Sequence, residues 1–107
     1  MSNFPNTAQK GFVRYIVFKE EGEWHAVGLE FNIVISADTA EIALFELFDA
    51  MRGYVESFRK LRGVRPHALN QKADPEYEVL WKKLKQAKQP IKSPYSIYTF
   101  GEKALAA

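Results

Sequence analysis

Cysteine is absent from this chain of 107 residues, which excludes a disulfide framework and any thiolate metal site. Histidine occurs only at His25 and His67, in separate contexts and without a second histidine or a Glu-x-x-His pattern at ligand spacing, so no metal is expected. No uncharged run approaches the length of a membrane-crossing helix. The opening M-S-N-F-P-N-T-A-Q-K has no apolar core behind a basic start and does not read as a signal peptide. A Gly-x-x-x-x-Gly-Lys phosphate loop, a Gly-x-Ser-x-Gly elbow and a cysteine nucleophile are all missing. The expectation is a cytoplasmic protein without a cofactor that is not an enzyme.

What the chain has is apolar and aromatic residues, at 47% and 14%, in a length that suits a single domain with one core. Its net charge of +2 hides an asymmetry. Residues 1–51 carry 3 Lys/Arg against 8 Asp/Glu, whereas residues 52–92 carry 11 against 4. One surface is therefore expected to be acidic and another basic, which would steer a nucleic acid, pair copies of the chain, or simply keep the faces solvated.

Residues 1–11 read as a loose lead-in, broken by Pro5 and Gly11. Phe12 to Lys19 is β-branched and aromatic and is a strand by composition, with apolar groups on both faces. Glu20-Glu21-Gly22 supplies a hairpin turn to a second strand, Glu23 to Glu30. There Trp24, Ala26 and Gly28 face one way and His25, Val27 and Leu29 the other, and the small Ala26 and Gly28 suit a face crossed closely by a helix. Phe31 to Ser36 forms a third strand.

Ala37 to Leu61 then reads as one long helix, capped by Asp38 or Thr39, with Asp38 and Glu41 spaced as a capping box. Ala43, Leu47, Met51 or Ala50, Tyr54, Phe58 and Leu61 form its apolar face. Ile42, Phe45 and Phe48 lie off that face, so a cover is expected on a second side, from a second helix or a second copy of the chain.

The basic stretch after Leu61 contains Gly63 as a helix stop and Pro66 as a barrier. Asp74 and Pro75 start a second helix with the stripe Tyr77, Leu80, Trp81 and Leu84, ended by Pro90 and Pro94. Tyr95 to Phe100 alternates as a fourth strand, and residues 101–107 read as a tail. The fold class is α+β, with the order β-β-β-α-α-β: a three-stranded antiparallel meander, a long helix, a second helix and a fourth strand.

The positions Tyr15, Gly22, Trp24 with Ala26, Asp38 with Thr39, and Glu41 with Ala43 resemble the pattern of the HicB-like family over residues 12–58. Ala37 stands where that pattern has glycine. The resemblance implies a truncated ribonuclease-H-like fold without the nuclease carboxylates. It also implies an antitoxin role, in which the chain binds and occludes a small RNA-cleaving toxin and assembles as a dimer or tetramer. Many members add a C-terminal DNA-binding module, for which one helix and one strand after residue 61 are too little.

Two other chemistries have residues to weigh. Arg59, Lys60, Arg62, Arg65, Lys82, Lys83, Lys85 and Lys88, with Trp81 and Tyr95 nearby, are the candidate contacts if the chain is instead an orphan domain binding RNA or DNA through residues 52–92. The bland reading is a solvated helix face with Trp81 in the core. Asp38, Glu41, Glu46 and Asp49 invite comparison with a two-metal hydrolase, but capping and the polar stripe of the long helix account for them.

Overall fold

The computed structural model describes residues 11–60, 70–86 and 96–104. Within these the chain is α+β: β1 (Phe12–Glu20), β2 (Glu23–Gly28), β3 (Ile33–Ala37), α1 (Ala40–Lys60), α2 (Pro75–Gln86) and β4 (Ser96–Ala104). The four strands form one antiparallel sheet in the order β3-β2-β1-β4. Glu21 and Gly22 both take positive φ, 53° and 82°, the geometry a two-residue hairpin needs to match strand twist.

Apolar residues on both faces of β1 require both faces to be covered. Val13 and Val17, with Ala26 of β2, sit under α1 against Ala43, Leu47, Met51 and Val55. Ile16 and Phe18, with Val27 and Leu29, face the other way onto Leu80, Trp81 and Leu84 of α2. The result is a helix–sheet–helix sandwich, and it corrects one of the two covers expected for α1. The second helix does not lie on the spare side of α1, because the opposite face of the sheet holds more apolar surface to bury. Ile42 and Phe45 thus stay 48% and 70% exposed on the outside of α1.

The helix starts differ from expectation in one detail. Thr39 is the cap of α1, with the Ile42 amide donating to its Oγ1 at 3.2 Å and the Ala43 amide donating to its carbonyl at 3.1 Å. This frame puts isoleucine at the third helical position, so no Asp38–Glu41 capping box forms. Asp74 caps α2 as expected, its Oδ1 accepting from the Glu76 amide at 3.0 Å. Met51, rather than Ala50, completes the buried face of α1. Leu61, Gly63, Pro66, Pro90, Pro94 and Tyr95 lie outside the described residues.

β4 runs four residues past Phe100 to Ala104, so the expected tail begins as strand. Its Gly101 pairs with Tyr15, and a Cβ there would lie 2.9 Å from the Tyr15 hydroxyl oxygen. Glycine thereby lets the Tyr15 ring lie over β4 and meet Phe48 edge-on at 5.1 Å.

Gly28 has the corresponding role under α1, where an added Cβ would rest 3.4–3.5 Å from Leu47, Met51 and Val13. That space admits one carbon and no branch. Gly28→Ala is expected to be neutral or stabilising by up to about 1 kcal/mol, whereas Gly28→Val is expected to cost about 1–3 kcal/mol by overpacking, read from urea midpoints.

Candidate functional site

Arg14 is the polar centre of the described residues. Its backbone amide and Nε donate to the two carboxylate oxygens of Glu30 at 2.8 and 2.5 Å, and Nη1 and Nη2 donate to the two oxygens of Glu78 at 2.8 Å each. The guanidinium also lies 5.6 Å from the centre of the Trp81 ring. One side chain of β1 thus holds the turn after β2 and the first turns of α2. Burial by itself would lower the Arg14 pKa, but the hydrogen bonds to Glu78 and Glu30 outweigh it and the pKa is raised, so the ion stays charged. Residue type alone assigns Arg14 no role. Its signal was present, as the only charged residue between Phe12 and Phe18 in a strand apolar on both faces. Such a charge needs buried carboxylate partners.

Gln71 makes a second tie at the same end of the sheet. Its amide donates to the Glu30 carbonyl at 2.6 Å, and its side-chain Nε2 donates to the Tyr54 hydroxyl at 2.7 Å, joining the approach to α2 with α1. The turn it binds includes Asn32, which has a positive φ of 54°.

The candidate basic residues fall in two places. Arg59 and Lys60 end α1, while Lys82, Lys83 and Lys85 lie on α2, across the sheet. Arg62, Arg65 and Lys88 lie outside the described residues. Trp81 is 7% exposed, with Phe100 at its edge and Arg14 and Lys85 near its ring, so it serves the core and offers no open face for base stacking. His25 places Nδ1 3.0 Å from the Ser36 hydroxyl on the neighbouring strand; His67 lies outside the described residues. Among the described residues no group of three or more His, Asp or Glu side chains is placed to hold a metal ion, and no helix is long and apolar enough to cross a membrane.

Exposed apolar side chains are a more distinctive feature than the charges. One set is Ile42 and Phe45 on α1. A second lies on β4, at one edge of the sheet, where Tyr98 and Phe100 are 47% and 36% exposed; Phe12, Val34 and Val79 are exposed on β1, β3 and α2. Tyr98 follows from an irregularity opposite Val17 and Phe18: the register skips it, and its ring stands 6.1 Å from Trp24. An edge strand of nine residues that carries exposed aromatics is a natural place for another chain to add.

The chain matches no protein-family model, no curated protein and no solved structure.

Two outcomes check the electrostatics. Arg14→Ala leaves the Glu30 carboxylate without its main partner and is expected to cost about 2–3 kcal/mol in urea unfolding, with Glu78→Ala costing about 1 kcal/mol because that carboxylate is more exposed. Burial, followed by the charges of Glu76, Asp74 and Glu20, raises the Tyr77 pKa above its ordinary value. The unfolded chain then loses this proton first, so stability present below about pH 10 falls as pH rises further. Tyr77→Phe is expected to flatten that alkaline decline.

Proposed function

We propose that this chain is a non-catalytic binding protein of the HicB-like type, an antitoxin or a module derived from one, working in the cytoplasm. Its task in this reading is to bind and occlude a small RNA-cleaving toxin, and it also self-associates. The observation that carries the proposal is the β4 edge, with Tyr98 and Phe100 exposed along a strand that has no neighbour on its outer side among the described residues.

The residues of the family resemblance support the reading through their positions. Trp24 and Ala26 pack with the core beneath α1, Tyr15 sits between Phe48 and Gly101, and Thr39 caps the helix. They build the scaffold on which the β4 edge is presented. Arg14 and Trp81, which would be the most useful groups for a phosphate or a base, are engaged in the core between the sheet and α2. A partner docking by strand addition would gain backbone hydrogen bonds from β4 and side-chain contacts from its exposed aromatics.

The test mixes the chain with any small RNA-cleaving protein encoded beside it in its genome of origin and follows RNA cleavage. Suppression at near-equimolar ratio is expected, with at least about 10-fold weaker suppression by the Tyr98→Asp/Phe100→Asp variant, since aromatic anchors at an interface commonly carry that much affinity. Cleavage that continues unabated at excess chain would overturn the reading.

A further inference from the structure

We infer that two copies of this chain pair through the outer face of α1, antiparallel about a two-fold axis, with Phe45 of each copy seated against Gly53 of the other. The inference rests on the self-association part of the reading above and is independent of any toxin.

Three features of one helix face carry it. Phe45 is 70% exposed and Ile42 48%, an apolar pair that the sheet does not cover and that α2 cannot reach from the far side. Gly53 lies two turns further on, exposed in the interior of a 21-residue helix, and a Cβ built there meets nothing within 4 Å. Glycine in a helix interior is unfavourable relative to alanine, and no packing among the described residues requires it at this position. A notch that nothing fills, beside an aromatic side chain that nothing covers, among the described residues, is accounted for when each serves the other.

Charge complementarity selects a second copy as the occupant and fixes its direction. The exposed acidic residues Asp38, Glu41, Glu46 and Asp49 lie before or within the first half of α1, whereas Arg52, Arg59 and Lys60 lie in the second. Glu56 is the exception. A helix graded in this way repels a parallel copy and attracts an antiparallel one. Placing Phe45 opposite Gly53 puts the axis at Asp49, which brings Glu46 opposite Arg52 and Asp38 opposite Lys60 without further adjustment. Asp49 is already bonded to Arg52 at 3.1 Å in each copy, so the two aspartates nearest the axis meet as ion pairs rather than as bare charges. The same patch serves both partners, so the contact is isologous and closes at two. A helix of this length spans about 30 Å, and one such pair lies at the small end of specific interfaces, which sets the expected affinity in the micromolar range.

The experiment is sedimentation of the full chain from about 1 to about 200 µM. A monomer–dimer equilibrium is expected, tighter at low salt than at high salt because its ion pairs are screened. Phe45→Asp is expected to weaken it at least about 10-fold. Gly53→Leu improves helix propensity and fills the notch, so it is expected to weaken the dimer while the monomer's thermal midpoint holds or rises, which separates the result from a folding defect. Glu46→Arg weakens the dimer, and Glu46→Arg combined with Arg52→Glu recovers it. A chain that stays monomeric to about 200 µM overturns both this inference and the self-association it builds on. A dimer indifferent to Phe45→Asp and Gly53→Leu, or growth beyond dimers that Lys82→Glu/Lys83→Glu abolishes, overturns the α1 pairing and leaves self-association standing.

Discussion

The sandwich depends on Arg14. It stands in a strand otherwise dedicated to apolar packing, and four of its nitrogen donors are distributed over a turn and a helix, beside the Leu29 amide that donates to its carbonyl at 2.9 Å. The apolar stripe of α2 would adhere to the sheet in many orientations, since hydrophobic burial is not directional. A bidentate pair with Glu78, fixed against Glu30, selects one of them. Trp81 then lies beneath the guanidinium with Phe100 at its edge, and β4 is drawn into the same cluster on the far side of β1. The order of the sheet, with the last strand beside the first, and the position of the second helix are coupled through this one side chain.

Much of this was legible from residue types. The three-strand meander, the long helix, the Asp74-Pro75 start of α2 and its Tyr77, Leu80, Trp81, Leu84 stripe follow from periodicity and capping chemistry, because these are local properties. The close crossing at Ala26 and Gly28 was also readable, since small residues beside a bulky Trp24 leave room for only one kind of neighbour. The face on which α2 lands was not, although the apolar residues on both faces of the first strand posed the question. Pairing an amphipathic helix with one of two apolar surfaces is a tertiary choice, and the feature that resolves it joins residues 64 positions apart. The extension of β4 beyond Phe100 was hidden for a similar reason: Gly-Glu-Lys is a poor strand by propensity, and its glycine makes sense only with the Tyr15 ring lying over it.

The candidate site was less legible than the fold. Charge drew attention to the lysines of α2 and the arginines after α1, but these residues sit on separate layers or outside the described residues. The aromatics that stand exposed, Phe12, Phe45, Tyr98 and Phe100, belong to segments that also carry buried residues. Only the helix packing over β1 to β3, and the skipped register at Tyr98, reveal which side chains are left outside.

The division of charge in the sequence takes on a different meaning in the folded chain. It invites the picture of one acidic and one basic surface, open to a nucleic acid, to a second copy of the chain or to solvent. The boundary between the two halves instead falls inside α1, between Asp49 and Arg52, which bond to one another. A gradient that reverses within one exposed helix is complementary to its own reverse. The edge of β4 lies outside that helix, so a chain paired along α1 still has an edge strand to offer in each copy. Self-pairing and partner capture therefore make separate demands on the structure, and a two-fold pair would present two β4 edges to a partner.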